Sequence, residues 1–70
     1  MNNRWMVNVT DKVGFSCYDV IDIDNIVDMG ETYNIMAGDT DMYLDKKYCD
    51  ISGDLIKYRD DHIEIYMELL

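Results

Sequence analysis

The sequence predicts a mainly β protein, and three observations lead to that prediction. The chain has only 70 residues, a length that suits a single small acidic β domain spanning residues 1–70. Apolar and polar residues alternate with a period of two through most segments, as they do in half-buried strands. The four glycines occur singly between those segments, where hairpin turns need them. We therefore expect a small antiparallel meander, or a partly open barrel of SH3-like or OB-like size, built from five to six short strands.

The first two strands are predicted from alternation on either side of a glycine-containing turn. Residues 4–10 alternate an apolar face with a polar one, which indicates a half-buried strand. Residues 11–14 form the turn, and residues 15–21 return as the second strand. On that strand, Phe15 and Cys17 fall on the face that we expect to be buried.

The next segment, residues 22–29, departs from alternation. Ile23, Ile26 and Val27 recur at helical spacing, with Gly30 placed to end a helix. So short a helix is unstable alone, and we expect one short helical turn held by tertiary contacts.

Alternation returns at residues 31–37, which predict a strand followed by a four-residue turn at 38–41. Residues 42–51 then predict a longer strand with a charged middle, and residues 52–53 predict a tight turn.

The last segments carry the clearest pattern. Residues 55–59 and 62–70 flank two aspartates and predict a β-hairpin, because the second of them alternates strictly over eight positions. As the last strand it is expected at a sheet edge, where its backbone could pair with a second copy. The predicted core consists of Trp5, Val7, Val9, Phe15, Cys17, Ile21, Ile35, Leu44, Ile56, Tyr58, Ile63, Ile65 and Met67.

The charge balance excludes two classes of partner. The 15 Asp and Glu residues outnumber the 6 Lys and Arg residues, so the net charge is −9. Phosphate backbones and anionic membrane surfaces both require basic patches, so we expect neither direct nucleic-acid binding nor membrane binding. No apolar run is long enough to span a membrane, and no secretory signal is expected. We accordingly expect a cytoplasmic protein with Cys17 and Cys49 as buried, reduced thiols.

No motif for catalysis or metal binding is found. Residues 22–27 and 39–44 resemble the start of a calcium loop, but they place apolar side chains at the fifth or sixth position, where a ligand and a glycine are required. The cysteines and the single histidine lack zinc-site spacing. We expect no enzyme activity, cofactor or metal, with a weaker cation site at Asp39 and Asp41 as a minor alternative.

The acidic residues cluster, and they define the candidate site. Carboxylates two residues apart on a strand lie about 6.6 Å apart, which is on the scale of successive phosphates along a nucleic acid. Tyrosine is enriched at interface cores, and one tyrosine lies between two glutamates on the last strand. The predicted partner-binding residues are Asp19, Asp22, Asp24, Asp28, Asp39, Asp41, Glu64, Tyr66 and Glu68.

These features favour a non-enzymatic inhibitor that occupies the basic, nucleic-acid-binding groove of a host protein by charge mimicry. The composition, with one alanine and no proline, is typical of the short acidic proteins that AT-rich phages and mobile elements encode. A phage protein of this kind would act on a restriction system, a CRISPR effector or the transcription machinery. The alternative is a structural or assembly module that forms a homodimer through a strand edge.

Overall fold

The computed structural model describes residues 3–70, which form two antiparallel sheets. The large sheet has five strands in the order β2-β1-β8-β7-β6, and the small sheet has three in the order β3-β4-β5. The strands are β1 (Arg4–Asp11), β2 (Ser16–Asp22), β3 (Asn25–Asp28), β4 (Thr32–Ala37), β5 (Thr40–Asp45), β6 (Cys49–Ser52), β7 (Leu55–Arg59) and β8 (Ile63–Leu69). The predicted mainly β, antiparallel fold is confirmed, and the two sheets do not close into a barrel.

Strand β8 is central, so the expectation that the last strand forms a sheet edge is wrong. β8 pairs with β7 on one side and with β1 on the other, where Val7 lies opposite Met67. The pairing joins two strands whose inward faces are both apolar, and it buries both faces at once. The edges of the large sheet are β2 and β6.

Residues 22–29 contain strand β3, so the expected helical turn there is wrong. Ile26 lies opposite Ile35 of β4, and the N–H of Asp24 donates to the carbonyl oxygen of Met36 at 2.8 Å. A one-turn helix would leave most of its backbone groups unpaired, whereas the ladder with β4 pairs those on the side that faces β4. The spacing of the isoleucines is therefore compatible with a strand once a neighbouring strand is available.

Residues 42–51 do not form one strand. β5 ends at Asp45, a 3₁₀ turn follows at Lys46–Tyr48, and β6 then begins in the other sheet. Asp45 caps the turn by accepting the N–H of Lys47 at 3.1 Å, as N-cap aspartates do. This break, together with β3, explains why the described chain has eight strands rather than five or six.

The hairpin turns match the glycine positions. Residues 11–14 and the residues around Gly53 form turns as expected, but the turn at 38–41 is shorter than predicted. Ala37 pairs with Thr40, so only Gly38 and Asp39 lie between the strands. Gly38 has φ +61, which side chains with a Cβ rarely adopt.

The core lies between the two sheets and matches most of the prediction. Its buried side chains are Trp5, Val7, Ile23, Ile35, Leu44, Ile56, Ile65 and Met67. Val9, Ile21, Tyr58 and Ile63 pack against it while partly exposed.

Phe15 and Cys17 are exposed, so their assignment to the core is wrong, and with it the expectation that both thiols are buried. Cys49 is half-buried. Ile23, which was missed, is buried at the crossing between the sheets. Phe15 and Cys17 are exposed because the small sheet does not cover this part of the large sheet. It packs against the inner face of the other strands, and β2 stays exposed along most of its length.

Candidate functional site

A groove of about 700 Å³ opens beside β2, between the inner face of the large sheet and the β4–β5 hairpin. We call it the acidic groove. Its apolar lining comes from Val7, Val9, Ile21, Ala37 and Met42, and its charged lining comes from Asp19, Asp22 and Asp24. Three of the predicted site residues are therefore brought together, and none of the described residues that line the groove is a lysine or an arginine.

The strand register explains why acidic and apolar side chains share this groove. Residues directly opposite each other in a ladder point to the same face. Asp19 lies opposite Val7, and Cys17 lies opposite Val9, so the inward side of β2 continues the apolar row of β1. On the other side of β1 the same row is buried, with Met67 fully enclosed. The groove is thus the uncovered end of the face that forms the core.

Each of the three carboxylates has a local partner. Asp24 accepts the N–H of Gly38 at 2.9 Å, which ties the start of the small sheet to its hairpin. Asp19 accepts the N–H of Val20 at 2.8 Å. Asp22 lies 3.5 Å from Arg4 in an ion pair of two well-exposed side chains, a contact that contributes little in water.

Asp28 belongs to a different contact. Its carboxylate pairs with Lys46 and also accepts the N–H of Gly30 at 2.9 Å. The hydrogen bonds from Lys46 and from the Gly30 backbone hold the pKa of Asp28 below its usual range. Lys46 also lies 4.9 Å from the ring centre of Tyr33. Asp28 thus anchors the 3₁₀ turn to the small sheet, and it does not line the groove.

Asp39 and Asp41 also lie outside the groove lining. Asp39 is in the two-residue turn between β4 and β5. Asp41 lies opposite Met36, whereas its neighbours Thr40 and Met42 line the groove. Because side chains alternate along a strand, Asp41 points to the other face of the small sheet.

Glu64, Tyr66 and Glu68 project from the outer face of the large sheet, opposite the groove. Their direction confirms the predicted alternation of β8, whose inward residues are buried or half-buried. Glu64 lies opposite Arg59 and Tyr66 opposite Lys57, so basic side chains interrupt this row. The nine predicted residues therefore occupy separate places. Only the groove collects several carboxylates with no lysine or arginine in its lining, although Asp22 pairs with Arg4 beside it.

Sequence reasoning missed the exposed apolar surface of the β1–β2 hairpin. Val13 is 82% exposed, Phe15 75%, Tyr18 67% and Val20 41%. One signal was available, because residues 15–21 contain no lysine, arginine or proline, the residues that commonly protect an exposed edge strand.

The buried amide of Asn34 was also missed. The side chain is 2% exposed, and its Nδ2 has no hydrogen-bond partner among the described residues. It lies between Val27 and Tyr43 on neighbouring strands, away from the groove.

Within residues 3–70, no three histidine, cysteine, aspartate or glutamate side chains converge to hold a metal ion. That part of the chain also has no helix long and apolar enough to cross a membrane. Comparison of the chain with known protein families, with curated proteins and with solved structures finds no match in any of the three.

Proposed function

We propose that this chain is a non-enzymatic binding protein that contacts a basic, nucleic-acid-binding surface of another protein through the acidic groove. One observation carries the proposal: Asp19, Asp22 and Asp24 surround an apolar floor that no lysine or arginine lines among the described residues. Lysine and arginine have apolar stems and charged ends. A groove with apolar and carboxylate lining suits both parts of such a side chain.

The overall charge supports the same class of partner. A net charge of −9 on 70 residues creates a field that speeds the approach of a basic surface and slows the approach of nucleic acid. Occupation of that surface would exclude nucleic acid from it, so the binding protein would act as an inhibitor. A phage source and a cytoplasmic location, both part of this proposal, would make the partner a host protein of a restriction, CRISPR or transcription system.

The gathering of Asp19, Asp22 and Asp24 around one groove, where Arg4 pairs only with Asp22, also favours a role in binding. Like charges held close together oppose folding, and a domain of this size has little stability to spare. Asn at the same positions would keep similar side-chain volume and remove that repulsion. The presence of aspartate rather than asparagine at these positions therefore favours a cationic occupant.

The test compares two triple variants that remove the same number of charges. The groove variant carries Asp19→Asn, Asp22→Asn and Asp24→Asn. The control carries three exposed aspartates outside the groove lining changed in the same way, at Asp50, Asp54 and Asp61. The immobilised chain captures a partner from a host lysate, and the purified partner is titrated with each variant by calorimetry at several salt concentrations.

We expect the groove variant to lose about tenfold or more in affinity and to show a weaker salt dependence, while the control changes much less. A labelled DNA should compete with the chain for the partner. Equal affinity of both variants, or simultaneous binding of DNA and chain to the partner, would contradict the proposed function.

The second candidate is an assembly module that forms homodimers through a strand edge. One observation favours it: β2 is an edge strand of the large sheet with an exposed apolar surface. Self-association through backbone pairing would survive high salt, whereas contact with a basic partner would weaken. Sedimentation of the protein alone at low and high salt separates the two candidates.

A further inference from the structure

The outward backbone of β2 is open, and the ladder with β1 identifies its free groups. At one end, the N–H of Asp11 donates to the carbonyl oxygen of Phe15 at 3.0 Å; at the other, the N–H of Ile23 donates to that of Asn3 at 3.0 Å. Hydrogen-bonded pairs alternate along an antiparallel ladder, so the odd-numbered residues of β2 bond to β1. The residues that direct their N–H and C=O groups to the open edge are Ser16, Tyr18, Val20 and Asp22.

This edge has only part of the usual protection against pairing. Edge strands are commonly short, or they carry lysine, proline, a bulge or an inward-pointing charge, and of these β2 has only the inward-pointing Asp19. β2 has seven residues, Ser16–Asp22, with neither basic residues nor proline, and it pairs with β1 through an uninterrupted register. The other edge of the large sheet, β6, has only four residues. β2 is therefore the edge of this sheet that offers the longest backbone to a partner.

One contact protects the middle of the edge. The outward N–H of Val20 donates to the carboxylate of Asp19 at 2.8 Å, so this donor is occupied by a neighbouring side chain. Asp19 also lines the acidic groove. A cation placed beside Asp19 would attract its carboxylate and release the Val20 donor for pairing with another strand.

We propose that β2 is a strand-addition site for an extended segment of the basic partner, in which basic and apolar residues alternate. The basic side chains lie on the groove face beside Asp19, and the apolar ones lie on the outer face beside Tyr18 and Val20. This assignment rests on the proposed function and names how the partner binds. Main-chain hydrogen bonds would supply the affinity, and the alternating side chains of the added segment would supply the specificity, as in other cases of strand addition.

Charge selects this occupant over a second copy of the chain. Each copy carries a net charge of −9, and antiparallel pairing of two β2 strands about their midpoint would place the two Asp19 carboxylates directly opposite each other. A segment with lysine or arginine at alternate positions replaces that repulsion by attraction.

The probe is a capped seven-residue peptide that alternates lysine and valine. Its control is the same peptide with N-methyl groups on alternate backbone amides, on the side that would face β2, because this keeps the charge and removes the pairing groups. Calorimetry measures both affinities, and amide hydrogen exchange is followed in the unmodified protein. We expect the N-methylated peptide to bind at least about tenfold more weakly. We also expect the parent peptide to slow exchange at Tyr18, Val20 and Asp22.

A pair of variants tests the same edge from the protein side. Val20→Pro removes an outward donor without removing a bond to β1, as proline can on an edge strand. Val20→Thr keeps the donor and the branched shape. Affinity for the parent peptide should fall about tenfold or more in the proline variant and change little in the threonine variant. If circular dichroism shows that the proline variant is unfolded, the affinities of the two peptides and the hydrogen-exchange data test strand addition in its place.

The outcomes separate this inference from the proposed function. Equal binding of both peptides, without slowed exchange on β2, overturns strand addition and leaves charge-based recognition standing. Failure of both peptides to bind at low salt overturns both proposals. A dimer of the protein alone that persists in high salt and is lost in Val20→Pro assigns the edge to a second copy and overturns the inference.

Discussion

The β1–β2 hairpin and the β7–β8 hairpin lie in the same sheet and carry the same alternating pattern, yet their surroundings differ. Ile65 and Met67 of β8 point inward and are buried, whereas Cys17 and Asp19 of β2 point to the same side and are exposed. β8 has a neighbour on each side, and β2 has only one. Alternation thus determines which way a side chain points, and the position of the strand in the sheet determines whether it is covered.

The two turns show the same contrast. Asp11 accepts the N–H groups of Val13 and Phe15, both at 3.0 Å. Asp60 likewise accepts those of His62 at 2.7 Å and Ile63 at 2.8 Å.

Only Asp60 has a further side-chain contact, with the hydroxyl of Tyr58 at 2.6 Å. This contact and the two backbone hydrogen bonds lower the pKa of Asp60 to about 2. Asp60, acting through the same hydrogen bond, raises the pKa of Tyr58 to about 12. The turn of the internal hairpin is therefore linked to its strand, and the turn of the edge hairpin has no such contact among the hydrogen bonds of the described residues.

The largest expected difference between the hairpins is in stability. Ile65→Ala should lower the free energy of unfolding by about 2–5 kcal/mol, because it leaves a cavity in the core. Ile21→Ala, the same change on partly exposed β2, should lower it by only about 1 kcal/mol. Urea denaturation of both variants measures this difference. Equal losses of unfolding free energy would show that the inner face of β2 is covered, and they would contradict the presence of an open acidic groove there.

The next difference is in thiol reactivity. Cys17 is exposed on β2, while Cys49 is half-buried and pairs with Tyr58 on β7. Burial, with a smaller contribution from the charge of Asp50, raises the pKa of Cys49 and reduces its thiolate fraction. A disulfide reagent at neutral pH should label Cys17 about tenfold or more faster than Cys49, which mass spectrometry of digested protein can follow. Similar rates in the native protein and rates unchanged by denaturant would argue against this contrast.

The smallest expected difference appears in acid. The pKa of Asp60 in the folded protein, about 2, lies below its ordinary value of 3.8. Its stabilising contribution is therefore complete above about pH 4 and is lost as the pH falls towards 2. The pKa of Tyr58 is raised, so the same contact holds below pH 10 and is lost as the pH rises through about 12.

The measurement is the urea midpoint of wild type and Asp60→Ala as the pH is lowered. The difference in urea midpoint between wild type and Asp60→Ala should become smaller as the pH falls from about 4 to about 2. Tyr58→Phe serves as a second variant, which removes only the hydroxyl contact. A constant gap over that range would mean that the Asp60 hydrogen bonds do not stabilise the turn.

Local pattern was enough to predict much of this fold. The faces of β8 were predicted correctly because its alternation is strict and a neighbour lies on each side. The strand at residues 25–28 was not predicted, because the spacing of Ile23, Ile26 and Val27 suits a helix as well as a strand. The choice depends on pairing with Ile35 of the next strand, which no local pattern contains.

The candidate site was predictable only in part, for the same reason. Asp19, Asp22 and Asp24 are near one another in the chain, and the fold keeps them together. Asp28 instead pairs with Lys46 away from the groove, and even Asp22 pairs with Arg4, which lies opposite it on β1. Whether a carboxylate meets a cation depends on strand neighbours that are set by the order of the sheet.

The pairing of β1 with β8 also has a consequence for the time course of folding. These strands stand at opposite ends of the described chain, so their contact requires closure of a very long loop, which carries a large entropic penalty. The small sheet needs only two consecutive hairpins. We therefore expect β3, β4 and β5 to order early. During synthesis, β1 would remain without its central neighbour until the last strand has left the ribosome.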